Sequence, residues 1–112
     1  MTAGRWIAEL AVDFVDPGGD RDHGRIAIGE PVAEDEGSWA CTCEVGPLFG
    51  PRPLFGVDAL QALLLGIRFV GFELHAFRAR GGRVVCPATA TDPEFDVSLD
   101  AYFGPLLRAS DE

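Results

Sequence analysis

The stretch from Gly56 to Gly82 constrains this chain more than any other, and it reads as one long helix. Leu60, Leu63, Ile67, Val70, Leu74 and Phe77 recur at steps of 3, 4, 3, 4 and 3 residues. That is the helical period, not the strand period of two. Leu64, Gly71 and Arg78 lie beside this stripe and widen it. Gly56 serves as the expected N-cap, which puts Asp58 in the first turn, where a carboxylate meets the positive helix end. Arg78 and Arg80 fall in the last turn, and Gly81-Gly82 supplies a left-handed stop. About 24 residues at ~1.5 Å each give a rod of roughly 36 Å.

This helix is more apolar than a one-sided surface helix needs to be. Leu65, Phe69 and Phe72 lie away from the main stripe, and such a helix is buried on more than one side. Either the chain's own loops and strand ends cover the second face, or a second chain does. Asp58, Gln61, Arg68, Glu73 and His75 interrupt the run, so ~20 uninterrupted apolar residues never occur and no membrane span is expected. Gly66 and Gly71 each cost up to ~1 kcal/mol against Ala in a helix. Close packing against a sheet or another helix is the reason expected for them.

A chain of 112 residues makes one domain, residues 1–112, with one core. Its 47% hydrophobic content and mean hydropathy of +0.13 favour a folded globule over disorder. No charged segment followed by an apolar stretch opens the chain, so a cytoplasmic location is the expectation. Eighteen Asp and Glu against nine basic residues give a net charge of −9. Nucleic acid is disfavoured as a partner, because its phosphates need neutralising. A basic protein partner fits the charge. The three cysteines are an odd number and suggest no disulfide framework. Cys41 and Cys43 point to one face of a strand with parallel vectors, poor geometry for a mutual bridge, and are expected as small core residues. A metal site would have to draw on Cys86, His23 and His75, whose spacing supports none; no metal or cofactor is expected.

Along the chain, Arg5 to Asp16 alternates as a half-buried strand, with Trp6, Ala8, Leu10, Val12 and Phe14 on one face and Glu9 and Asp13 on the other. After the turn Asp16 to Asp20, a second strand runs from Arg25 to Val32, and Pro31 places its end at an edge. Glu34 to Gly37 is an acidic turn. Trp39 to Val45 is a third strand. Short polar turns between the three imply an antiparallel meander. Gly46 to Phe55 carries Pro47, Pro51 and Pro53 and reads as neither strand nor helix, an apolar loop that wraps the sheet edge or rims a groove with Arg52 exposed. After the helix, Arg83 to Cys86 and Phe95 to Leu99 read as two more strands, and Ala101 to Leu107 as a helical turn. The expected fold is α+β: a βββαββ order, with about five strands and one long helix across one sheet face.

The catalytic signals are weak. Asp16, Asp20, Asp22 and His23 are expected to form a solvated hairpin turn. Gln61, Arg68 and His75 recur every seven residues as a polar stripe on the helix. Asp96, Ser98 and Asp100 are expected on one exposed strand face. No phosphate-cradling loop, nucleophile elbow or metalloprotease pair is visible, so no catalytic residue is assigned and the balance leans away from an enzyme. The leading expectation is a non-catalytic protein-binding domain, immunity-like or chaperone-like, that forms homodimers. The alternative is a small-molecule binder or minor enzyme with a groove between the 46–55 loop, the helix and the sheet. Either would use Arg52, Gln61, Arg68, Phe69, Phe72 and His75.

The run GVDALQALLL from Gly56 resembles a small bacterial domain family of unknown function, in which a meander is followed by a helix opening G-x-D-x-x-Q-A-L. Gly56, Asp58, Gln61, Ala62 and Leu63 carry the likeness. The resemblance implies a βββα order and brings no activity with it. Read physically, it is a helix start, with Gln61 tying the helix to the preceding loop. The order of elements is also similar to secretion-chaperone-type folds, although the leading helix of those is missing.

Overall fold

The computed structural model describes residues 5–104. Leu10, Val12 and Phe14 on one face, with Glu9 and Asp13 on the other, make β1 (Trp6–Val15), and Asp16 folds the chain back. Its carbonyl accepts from Gly19 N and its carboxylate from Asp20 N, both at 2.9 Å, with Gly19 at φ +95°. The chain then returns as β2 (Arg21–Gly29). Pro31 breaks that strand. It resumes as β3 (Val32–Ala33) on the same edge of β4 (Trp39–Gly46), one residue out of register. The hairpin β4–β5 (Phe49–Gly56) follows, then α1 (Ala59–Ala79), β6 (Arg83–Cys86), β7 (Phe95–Asp96) and a short α2 (Leu99–Phe103). All pairings are antiparallel. β1 lies between β2 and β6, β4 between β2 and β5, and β7 flanks β6.

The α+β class, the antiparallel sheet and the single long helix are as the sequence implies. The strand count is not: the described residues form seven strands where about five are expected. The largest correction is the 46–55 stretch, which is mostly β5. Pro51 and Pro53 are two residues apart, so both ring nitrogens point to the same side of the strand. With Leu54 opposite Cys41 and Arg52 opposite Cys43, that side faces away from β4. Proline there removes no ladder bond and blunts an open edge. A second correction concerns Phe95 to Leu99. Only Phe95 and Asp96 are strand. Ser98 caps α2 by accepting from Ala101 N at 3.3 Å, so Asp96, Ser98 and Asp100 do not share a strand face. The expected turn over Ala101 to Leu107 starts earlier, and its part beyond Gly104 lies outside the described residues.

The core lies between the sheet and α1, where Val12, Phe14, Cys41, Cys43, Val45, Val70, Leu74 and Phe77 are buried. The helix is seated by small residues. A Cβ on Gly66 would lie 2.8 Å from Cys43 Sγ and 3.1 Å from Cys41 Sγ, and one on Gly71 would lie 2.8 Å from the Phe103 ring. Close packing, against the sheet in one case and α2 in the other, explains both glycines. Because Ala62 and Gly66 permit the closest approach, the buried stripe runs Ala62, Gly66, Val70, Leu74 and Phe77. Leu60, expected in the core, is 65% exposed and Leu64 48%. The period was legible; its phase was shifted by residues too small to register as hydrophobic.

The cap also differs. Asp58, not Gly56, is the N-cap, accepting from Gln61 N at 2.8 Å. The stop is as expected. Gly81, at φ +99°, donates to Arg78 O and Gly82 to Phe77 O, the paired bonds of a Schellman motif.

Candidate functional site

The six residues marked from sequence fall into four places. Arg52 and Phe69 meet on the β5 flank of α1. The Phe49 and Phe69 rings are 5.1 Å apart, and the Arg52 guanidinium lies 5.2 Å from each. This stack covers the Phe69 side of the helix from within the chain. Gln61 belongs to the helix start, where its Oε1 accepts from Val57 N at 2.8 Å. With the Asp58 cap it forms a variant of the reciprocal capping box. Gly56 completes the motif, because a Cβ there would lie 2.5 Å from Ala62 N. The G-x-D-x-x-Q-A sequence is thus accounted for by backbone geometry.

Arg68 and Phe72 lie on the opposite flank of α1, which no other described element covers. Val57, Leu60, Leu64 and Phe72 are 73%, 65%, 48% and 54% exposed. Leu60, Leu64, Arg68 and Phe72 form a single row at four-residue spacing. His75 sits apart, half-buried beside α2. Its Nδ1 is 3.3 Å from an Arg78 nitrogen. Its Nε2 is buried without a hydrogen-bond partner among the described residues, with Asp100 Oδ1 3.8 Å away.

Two features escaped the sequence reading. The first is a charged layer on the sheet face opposite α1. Asp13, 3% exposed, accepts from Arg21 at 3.0 Å and pairs with His23 Nδ1 at 2.5 Å. The His23 hydrogen bond, and with it Arg21, holds the Asp13 carboxyl below the usual carboxylate range against the opposing effect of burial. Arg25 bridges Glu9 at 2.6 Å and Glu44 at 2.8 Å and lies 4.9 Å from the Trp6 ring. Trp6 reaches this face because a bulge between Trp6 and Ala8 shifts the register; it was expected on the other. Asp13 and His23 are direct cross-strand partners, so knowledge of the hairpin register would have revealed the pair. A carboxylate–imidazole pair can in principle move protons. Among the described residues no hydroxyl or thiol side chain bonds to His23, and no group of three or more potential metal ligands occurs.

The second is an apolar cavity of about 290 Å³ between the sheet, α1 and α2. It is lined by Ala8, Glu9, Leu10, Ile26, Ile28, Ile67, Tyr102 and Phe103. The Cys41 and Cys43 thiols are both fully buried. Cys41 Sγ lies 4.0 Å from Cys43 Sγ and 3.3 Å from Gly29 O, and its proximity, with burial, pushes the Cys43 thiol upward.

The family model of a domain of unknown function, DUF6968, matches residues 14–95. The chain belongs to this family. No curated protein and no solved structure matches it. The DUF6968 match spans the end of β1 through the start of β7 and includes all of α1, in agreement with the likeness carried by its helix start. Ala8, Glu9, Leu10, Tyr102 and Phe103 of the cavity wall lie outside the matched residues.

Proposed function

We propose that this DUF6968 protein is a non-catalytic, cytoplasmic protein-binding domain whose contact surface is the outer flank of α1, with a second copy of the chain as the partner. The observation that carries this reading is the row Leu60, Leu64, Arg68 and Phe72, with Val57 beside it, left open by every described element. Residues four apart form the ridge that interdigitates with the same ridge of another helix at about −50°. A two-fold contact would use each apolar side chain twice, and burying the exposed half to three quarters of each contributes that share of the about 1.5–3 kcal/mol of full burial. The row from Leu60 to Phe72 carries one charge, that of Arg68, so the −9 of the chain is kept mostly outside the row. That charge also fits a basic protein as a further partner. By length and composition α1 is long and apolar enough to cross a membrane, but its buried stripe is spent on the sheet, which supports reading it as a core helix.

Light scattering over a dilution series tests the proposal. A dimer is expected, and Leu64→Asp should convert it to a monomer with unchanged circular dichroism. A monomer at every concentration would remove the second copy as partner. A dimer indifferent to Leu64→Asp would move the interface elsewhere.

A further inference from the structure

We propose that the cavity between β1, β2, α1 and α2 is a binding site for an uncharged, hydrophobic small molecule. The walls argue for this class. Leu10, Ile26 and Ile28 come from the α1 side of the sheet, Ile67 from the helix, and Phe103 and Tyr102 from α2. The sheet and two helices thus wall one half-open hollow, a shape that receives a compact molecule rather than a helix. Among the described residues the only charged one on the wall is Glu9, whose carboxylate is bonded to Arg25 at 2.6 Å in the charged layer of the opposite sheet face. The ligand therefore meets hydrocarbon, and an ion entering would lose its water without a partner. Tyr102 is 60% exposed and stands at the rim, where its hydroxyl serves one hydrogen-bonding group left near the mouth.

Size narrows the class further. A dry apolar cavity of ~150 Å³ takes up benzene, and about 290 Å³ is roughly twice that. A fused bicyclic ring or a branched aliphatic group of roughly ten carbons fits. The volume lies just under the ~300 Å³ lower end of ordinary ligand sites, so larger lipids are excluded unless they protrude. This inference stands apart from the α1 interface, since Ile67 is not in the Leu60–Phe72 row.

The chain contains four isoleucines, and three of them, Ile26, Ile28 and Ile67, line the cavity, whereas Ile7 does not. Isoleucine-methyl NMR of the full chain, titrated with naphthalene as probe, therefore contains its own control. The expected result is a saturable shift of the three cavity methyls with Ile7 unmoved. Naphthalene-1-sulfonate should bind at least ~tenfold more weakly, because its charge has no partner there. Ile67→Trp should fill the hollow and abolish binding, and Ala8→Phe, at an exposed rim position, does the same should the first variant fold poorly. No saturable shift, or equal shifts of all four methyls, would overturn the proposal. So would binding seen only in a Leu106→Asp, Leu107→Asp variant, which would identify the chain's own C-terminal segment as the occupant.

Discussion

The two faces of the sheet are closed in different ways. On the inner face, Val12, Phe14, Cys41, Cys43 and Val45 meet the buried stripe of α1, and every member of this buried cluster among the described residues is apolar. On the outer face, Ala27 is fully buried although no helix among the described residues lies above it. Its cross-strand neighbours are Glu9 and Glu44, and Arg25 bridges both, so the arginine arm forms the roof. Long charged side chains cover apolar surface with their stems while their heads stay wet. The inner face should depend on volume and little on solution conditions. The outer face should respond to pH and salt.

The strongest test of this contrast is Gly66→Leu. Its first added carbon already lies 2.8 Å from Cys43 Sγ, so the whole helix must lift from the sheet. Loss of a cooperative unfolding transition is expected, and a native-like thermal melt would show that α1 is not seated as described. Next comes Leu74→Ala, at a fully buried position, expected to lower stability by about 2–5 kcal/mol in denaturant unfolding. That loss should be the same at neutral and mildly acidic pH.

Asp13→Asn should behave in the opposite manner. The Asp13 carboxyl is held below its ordinary value by His23 and Arg21. A depressed carboxyl contributes stability above its unfolded value of about 3.9, and that contribution is lost as pH falls through the folded value. The gap between the native chain and Asp13→Asn should therefore be widest near neutrality and close in acid below about pH 4. A gap constant with pH would sink the assignment. Arg25→Gln should give the smallest change in melting temperature, and in about 1 M salt the change should shrink further, because exposed ion pairs are weak and screened. A loss wholly independent of salt would mean that the stem over Ala27, and not the ion pairs, carries the arginine's contribution.

Much of this architecture was readable from residue order alone. Alternation marked β1, β2 and β4, the 3–4 spacing marked α1, and Gly81-Gly82 marked its end, because these signals come from backbone periodicity and local hydrogen bonds. The family motif at Gly56 to Leu63 was readable as a helix start for the same reason, even though the cap was placed two residues early. The strand nature of 49–56 was hidden, since proline forbids a ladder in general and only an edge position excuses it.

What the sequence could not determine is anything that depends on which parts meet. Which side of α1 faces the sheet was decided by Ala62 and Gly66, because contact distance and not hydrophobicity selects the closest face. The same choice left Leu60, Leu64 and Phe72 outside. The pairing of Asp13 with His23 came from the hairpin register, and the cavity from the placing of α2 against Gly71. Local order determined the elements of this protein. Their packing alone decided which surfaces were left to bind something else.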